Sequence, residues 1–162
     1  MSKPLENSSG IVEIEAPILA LDLGKKRVGV AVSDALKISI RRLDPLQRSS
    51  WKRLLNQVSS LTQRFDAQTL VIGLPLSLDG TRGQAAVEVE KAARNFALSL
   101  GIPVFLQDER LTSVEARANL KNEGSNSEEI ASQVDSEAAA IILRDFLDEH
   151  QERRPAPGVK AS

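Results

Sequence analysis

The stretch from Ile18 to Asp34, ILALDLGKKRVGVAVSD, constrains the fold more than any other part of the chain. Ile18–Leu23 and Val28–Ser33 are short apolar runs, and the glycine-containing connector Gly24–Arg27 separates them. Apolar runs of this length joined in this way predict two adjacent antiparallel strands. The first run carries one carboxylate, Asp22. Burying a carboxylate costs several kcal/mol unless a partner compensates it, and a bound cation is one such partner.

Three further segments predict strands. Ile38–Leu43 continues the meander, and Asp44-Pro45 is expected to end that sheet edge. Thr69–Gly73 is an apolar run, as expected for a central strand that is buried on both faces. Val104–Gln107 is a last short strand that leads directly into Asp108-Glu109-Arg110.

Helical periodicity appears in four other segments. The predicted helices run from a Ser49 or Ser50 cap to Phe65, from Ala85 to a stop at Gly101, from a capping box at Thr112 to Lys121, and from Ile130 or Val134 to Phe146. The element order is therefore β-β-β-α-β-α-β-α-α. This order indicates an α/β fold with a mixed sheet, in which ligands gather at the ends of the central strands.

The chain of 162 residues is expected to form one domain. Residues 17–150 would form this domain, residues 1–16 a flexible extension and residues 151–162 a flexible tail. The N-terminus has no apolar signal region, and no run approaches the roughly 18 apolar residues of a membrane span. The expectation is a cytoplasmic protein without a membrane partner.

Composition excludes several kinds of catalytic site. There is no cysteine, which excludes disulfides, thiolate zinc sites and cysteine nucleophiles. The single histidine, His150, lies in a polar C-terminal stretch, which argues against a Ser-His-Asp triad and against a histidine-rich metal cluster. Acid-base or metal chemistry must therefore fall mainly to carboxylates and lysines.

The charge is distributed unevenly, although the net charge is only −1. Residues 17–53 contain nine Lys or Arg against three Asp, whereas residues 128–152 contain eight acids against Arg144 alone. A basic first third can dock phosphates even when the whole chain is nearly neutral. The alternative is that these charges are solvated on exposed faces.

Three acids are candidates for a shared site. Asp22 lies at the end of the first predicted strand, Glu109 just past the last strand, and Asp135 near the start of the final helix. Several carboxylates with open water positions form a Mg²⁺ or Mn²⁺ site. Two such ions can activate water and stabilise the leaving oxygen in phosphodiester hydrolysis, a chemistry that needs neither His nor Cys.

Each acid also has a structural alternative. The acid in the first strand can accept hydrogen bonds from the turn that follows it. Asp135 can cap its helix or form a capping box with Ser132. Glu109 can pair with a nearby arginine, either Arg27 or Arg110. Asp108 competes with Glu109, because strand alternation turns only one of them toward a given side.

Phosphate contacts are expected from five basic residues. These are Lys25, Lys26, Arg27, Arg82 and Arg110. The Gly24-Lys25-Lys26 triplet is not a P-loop, because the upstream glycine of that motif is absent. Arg82, in its glycine-flanked loop, can touch a phosphate or remain solvated.

Four blocks of the chain, in order, resemble the YqgF-type pre-16S rRNA nucleases, which are also described as Holliday-junction-resolvase-like proteins. The blocks are LALDLGKKRVGVAVSD, VIGLPLSLDGTRGQAA, DERLTSVEA and VDSEAAAIILRDFL, within residues 18–147. The resemblance implies an RNase H-like fold, a five-stranded mixed sheet of order 3-2-1-4-5 flanked by helices. It implies a cytoplasmic protein that processes the 5′ end of pre-16S rRNA. The acids presumed to bind metal in the family fall on Asp22, Glu109 and Asp135, which favours Glu109 over Asp108.

One segment departs from the family pattern. Many relatives are rich in Lys and Arg just before the last acidic block, whereas residues 125–133 here read SNSEEIASQ. If relatives bind the substrate backbone through that segment, this protein must bind it through other residues. Lys25–Arg27 and the basic residues between Arg41 and Arg53 are the alternatives.

The leading hypothesis is a nuclease that uses Mg²⁺ or Mn²⁺ and acts on structured RNA, as a monomer or a homodimer. A first alternative is cleavage of branched DNA. A second is a non-catalytic RNA-binding ribosome-assembly factor with the same fold. A third follows from DxGxxxxGVAV, which also resembles the phosphate-binding hairpin of actin- and Hsp70-like ATPases. Those proteins need two such lobes, and the chain has no second copy of this motif.

Overall fold

The computed structural model of the protein describes residues 13–77, 79–109 and 127–151, and in the last segment it describes the side chains of residues 136–150. These residues form five strands and three helices. The elements are β1 (Ile18–Leu23), β2 (Arg27–Ser33), β3 (Ile40–Gln47), α1 (Trp51–Arg64), β4 (Thr69–Leu74), α2 (Gln84–Leu100), β5 (Val104–Asp108) and α3 (Ser127–Gln151). The predicted helix over Thr112–Lys121 lies outside the described residues.

The strands form one mixed sheet in the order β3-β2-β1-β4-β5. β1 and β2 are antiparallel, as are β2 and β3, whereas β1 is parallel to β4 and β4 is parallel to β5. The antiparallel part is the predicted meander, and the parallel part is built by the helical crossovers that follow it. The predicted RNase H-like sheet is confirmed.

Helices cover both faces of the sheet. α1 and α2 bury Val58 and Phe96 against one face. On the other face α3 packs Ile142 and Phe146 against residues that include Ala20 of β1 and Val71 of β4. Successive residues of a strand point to opposite faces. The packing of these residues therefore shows which face each side chain of the central strands points to.

β3 ends later than its sequence predicts. The expected strand was Ile38–Leu43 with a stop at Asp44-Pro45, but the strand runs from Ile40 to Gln47 and includes Pro45. The register with β2 shifts between Val28 and Val30, opposite this part of β3. An edge strand tolerates proline at such an irregularity, because the missing N–H breaks no regular ladder there.

The helix ends follow the predicted signals at α1 and α2. The Ser50 side chain caps α1 by accepting a hydrogen bond from the Arg53 N–H at 3.2 Å. α2 ends at Gly101, whose φ of 71° is a left-handed conformation that glycine adopts without strain.

α3 begins at Ser127, earlier than either predicted start. Its first residues are polar, so the apolar periodicity becomes visible only later in the sequence. Asp135 therefore lies well inside the helix, and the interpretation of this residue as a helix cap is wrong.

Residues that precede β1 pack against the domain. Ile14 is buried in the cluster under α3, and the Glu15 carbonyl accepts a 2.7 Å hydrogen bond from the Thr69 hydroxyl. The flexible extension was predicted over residues 1–16 and the tail over residues 151–162. Of these, only residues 13–16 and residue 151 are described, so both stay predictions. Within the described segments no helix is both long and apolar enough to cross a membrane.

Candidate active site

Strand alternation brings Asp22 and Glu109 to the same face of the sheet. Ala20 packs under α3, so Asp22, two residues later in β1, points to the same side. Phe105 also packs against the α3 cluster, and Glu109 follows it by four residues just beyond β5. Asp108 takes the opposite side. Glu109, rather than Asp108, therefore lies on the same side of the sheet as Asp22.

The side chain of Glu109 crosses β4 and makes a hydrogen bond with the side chain of Asp22. It crosses at Gly73, the fifth residue of β4. A Cβ atom built on Gly73 would lie 2.6 Å from Oε2 and 2.8 Å from Cδ of Glu109, and 2.5 Å from Cδ1 of Ile142. The carboxyl group therefore occupies the space that any larger residue at this position would fill.

A second glycine lies on the other side of Asp22. In the β1–β2 ladder Asp22 is paired with Gly29. In the β1–β4 ladder Leu21 is paired with Ile72, and one further step of that register sets Asp22 beside Gly73. The acid thus stands between two strand positions that carry no side chain.

Sequence reasoning did not single out Gly73. There the residue was part of the apolar run Thr69–Gly73 and of the family block VIGLPLSLDGTRGQAA, with no role of its own. A glycine at the end of a buried strand, next to a loop, was the available signal, because glycine in a strand can mark a close approach by another group.

The pair of carboxyl groups is electrostatically unfavourable when both are ionised. The pKa of Glu109 is raised from its ordinary 4.5 to about 9, first by burial and then by the negative charge of Asp22, the hydrogen bond with Asp22 and the charge of Asp108. Oε2 of Glu109 is buried and has no hydrogen-bond partner. Near neutral pH, therefore, Glu109 holds a proton and the pair carries less than its full charge.

These two carboxyl groups fit a divalent cation. Oxygen ligands are those that Mg²⁺ and Mn²⁺ prefer, and a cation would satisfy the buried Oε2 atom and remove the repulsion. Among the side chains that the structure describes, no three His, Cys, Asp or Glu form a group that could hold a metal ion. The third predicted ligand, Asp135, lies outside those described side chains. Its position is seven residues, or two helical turns, before Ile142.

A basic turn lies at the same edge of the sheet, directly after β1. Lys25 and Lys26 are both exposed on it. Arg48 holds the turn in place: its Nη1 donates a 2.8 Å hydrogen bond to the Gly24 carbonyl, and its backbone N–H donates a 2.9 Å bond to the Lys26 carbonyl. From the sequence, Arg48 was predicted only to be one of the basic residues of the first third. Its contact with Gly24 spans more than twenty residues, and no local pattern indicates it.

The other predicted phosphate contacts have different surroundings. Arg82 makes an ion pair with Glu90 of α2, at 2.7 Å, and its side chain remains 58% exposed. Arg27 is the first residue of β2 and is partly buried. Arg110 lies outside the described residues.

Comparison with known proteins matches one family over most of the chain. Residues 16–149 match the family described as "RuvX: Holliday junction resolvase". A protein of Syntrophus aciditrophicus named "Putative pre-16S rRNA nuclease" is 39% identical, with 90% of this chain and 97% of that protein covered. A protein of the same name from Crocosphaera subtropica is 41% identical, with 82% and 93% covered. These matches confirm the resemblance and favour the nuclease interpretation over the ATPase hairpin.

Solved structures provide a more distant likeness. RuvC of Thermus thermophilus in complex with a Holliday junction substrate aligns with a TM-score of 0.49 and 17% identity, over 82% of this chain and 94% of that one. At this level the likeness adds nothing to the assignment of the fold, which depends on the order and direction of the five strands.

The raised pKa of Glu109 predicts a pH-dependent stability. Between pH 4.5 and about 9 the folded protein keeps this proton whereas the unfolded chain releases it. The free energy of unfolding should therefore fall as the pH rises through this window. The variant Glu109→Gln should lose that part of the fall.

Urea denaturation at a series of pH values, in the presence of EDTA, measures this slope. Glu88→Gln, which changes an exposed glutamate of α2, is the matched control and should keep the slope of the wild type. Equal slopes for the wild type and Glu109→Gln would contradict the buried, protonated state of Glu109.

Proposed function

Because the chain belongs to the RuvX family, described as Holliday junction resolvase, we propose that it is a metal-dependent nuclease that hydrolyses phosphodiester bonds in structured nucleic acid. The observation that carries this proposal is the contact between Asp22 and Glu109 at the end of the central strands, where Oε2 of Glu109 is buried. Two carboxyl groups held together under a helix, with one oxygen left without a partner, suit a site whose negative charge is balanced by a bound cation.

Asp22, Glu109 and Asp135 would hold Mg²⁺ or Mn²⁺ and are the proposed catalytic residues. The chemistry that such ions supply is activation of water and stabilisation of the charge that develops on the leaving oxygen. The protein's own contribution is to fix its ligands. Asp22 is held within β1, and Glu109 is held by its passage over Gly73.

Glu109 would release its proton when it becomes a ligand. Its carboxyl group is the one whose pKa is raised, so the ionised pair forms fully only when a cation compensates the added charge. Binding would therefore become stronger as the pH rises toward about 9, and it would release a proton near neutral pH.

The proposed nucleic-acid surface begins at the basic turn. Lys25 and Lys26 are exposed beside the candidate site and are positioned by Arg48. Lysine at such a turn can contact phosphates of the substrate backbone without reading sequence. Since residues 125–133 carry no Lys or Arg, this turn is the proposed substitute for the basic segment of relatives.

Three arginines would extend this surface. Arg27 follows the turn directly and Arg110 follows Glu109 in the sequence. Arg82 would have to exchange its ion pair with Glu90 for a phosphate contact. An exposed ion pair of this kind contributes at most about 1 kcal/mol, so such an exchange is inexpensive.

The proposed substrate is the 5′ precursor region of 16S rRNA, and the proposed location is therefore the cytoplasm. The support is the name of the relatives that are about 40% identical, "Putative pre-16S rRNA nuclease". The description of the matched family as a Holliday junction resolvase supports branched DNA as the second candidate substrate. A monomer and a homodimer are both compatible with the proposed activity.

Asp22→Asn is predicted to abolish cleavage, because it removes a negative charge from the proposed metal site and keeps the shape of the side chain. With Mn²⁺ present, the rate of precursor RNA cleavage should fall by about 100-fold or more. The matched control is Asp148→Asn, which changes an exposed acid of α3 and should leave the rate unchanged.

Cleavage is measured in parallel on a 16S precursor RNA and on a four-way DNA junction, each with EDTA and with Mn²⁺. Equal cleavage by the wild type and Asp22→Asn would remove this assignment of the site. Cleavage of the junction alone would select the second candidate substrate. Binding of RNA without metal-dependent turnover, at any enzyme concentration, would select a non-catalytic assembly factor.

The double variant Lys25→Ala with Lys26→Ala is predicted to weaken RNA binding through the loss of phosphate contacts. The slope of log K against log salt concentration should become shallower by roughly 1 to 2, since each phosphate contact contributes about 0.7 to 0.9. Fluorescence anisotropy at several salt concentrations measures this slope.

A matched pair of basic residues provides the control for the turn. Lys91→Ala with Arg94→Ala removes two exposed charges from α2, which covers the opposite face of the sheet from α3. This control should keep the slope of the wild type. If the two double variants change the slope equally, the basic turn is not the preferred phosphate contact.

A further inference from the structure

We propose that Gly73 is a positioning residue of the active site: the absence of a side chain at this position lets the Glu109 carboxyl group cross β4 and meet Asp22. This inference rests on the proposed function, since it concerns the same two acids. It adds a further residue to the site, one that touches neither substrate nor metal and acts only by leaving space.

The space above Gly73 is already filled by its neighbours. Two atoms of Glu109 and one of Ile142 lie within 3.0 Å of the place where a Cβ atom would be. Real Cβ atoms essentially never have contacts this short, so alanine at this position requires a neighbour to move. The Glu109 carboxyl lies at the end of a flexible side chain and can move, but such a movement takes it out of the crossing toward Asp22.

Backbone conformation does not explain the glycine. The described glycines with positive φ are Gly80 and Gly101, whereas Gly73 lies within the regular ladder between β4 and β5, where it is paired with Gln107. Glycine inside a strand is less stable than alanine by roughly 0.5–1 kcal/mol. The sequence thus carries a residue that weakens the strand at the one point where Glu109 passes over it.

The sheet order explains why the crossing is needed. β4 lies between β1, which carries Asp22, and β5, which leads into Glu109. Neighbouring strands are about 4.8 Å apart, so β1 and β5 are about 10 Å apart across the sheet. Contact between their carboxyl groups requires a side chain to pass directly over β4, and a side chain on β4 at this point would block it.

The test compares Gly73→Ala in a background in which the second close contact has been removed. Ile142→Val deletes the Cδ1 atom that would meet the new methyl group. The comparison of Gly73→Ala/Ile142→Val with Ile142→Val therefore isolates the contact with Glu109. Gly83→Ala is the matched control, because a Cβ atom at Gly83 meets nothing within 4 Å.

The first measurement is the affinity of the full-length protein for Mn²⁺, by titration calorimetry. Gly73→Ala/Ile142→Val should bind Mn²⁺ about 10- to 100-fold more weakly than Ile142→Val, the range typical for residues that orient metal ligands. Gly83→Ala should bind it as the wild type does. Unchanged affinity in the Gly73 variant, with clear binding in its background, would overturn the inference.

The second measurement needs no metal. Asp22→Asn and Glu109→Gln are combined in a double-mutant cycle of unfolding in EDTA, once in the Ile142→Val protein and once in Gly73→Ala/Ile142→Val. In the Ile142→Val protein the two substitutions should be coupled by at least about twofold in the unfolding equilibrium constant, and with Gly73→Ala added they should be additive. Equal coupling in both proteins would overturn the inference.

The two measurements separate this inference from the proposed function. If the wild type binds no Mn²⁺ but Gly73→Ala abolishes the coupling, the metal-dependent function fails while the role of Gly73 stands. If Gly73→Ala/Ile142→Val does not fold, adding Glu109→Ala should restore folding, because it removes the carboxyl group in the way. A triple variant that remains unfolded would contradict the proposed role of Gly73.

Discussion

The contact between the half-buried carboxyl groups of Asp22 and Glu109 is the constraint that the strands and the covering helix around it must satisfy. It is unfavourable when both groups are ionised, and burial together with the charge of Asp22 raises the pKa of Glu109 to about 9. A fold keeps such a pair only when the surrounding packing holds it in place. The neighbouring strands and the covering helix therefore hold the two carboxyl groups together, and Glu109 keeps a proton near neutral pH.

Each part of the fold contributes to that arrangement. The parallel order β1-β4-β5 brings the ends of the three strands to one edge of the sheet, and alternation turns both acids toward α3. Gly73 leaves the passage open between them, and Ile142 of α3 closes it from above. At the same edge, Arg48 fixes the turn that exposes Lys25 and Lys26, which sets positive charge beside the acids.

Much of this could be predicted from the sequence, because periodicity and local signals determine it. The β1–β2 pair, the Ser50 cap and the stop at Gly101 each depend on neighbouring residues and are present in the structure. The predicted bounds of β3 were wrong, because a register shift lets the strand continue through Pro45. The predicted start of α3 was wrong, because the first residues of this helix are polar. The role of Gly73 depends on three strands meeting in space, and no local pattern encodes it.

The structure of a crystal soaked in Mn²⁺ would show directly whether Asp22 and Glu109 bind a cation. We expect an anomalous difference peak within coordination distance of the carboxylates of Asp22 and Glu109, with Asp135 as the third protein ligand. In that structure Glu109 should still pass over Gly73. A structure at saturating Mn²⁺ with no peak at these acids, and with the two carboxyl groups still hydrogen-bonded to each other, would contradict the account.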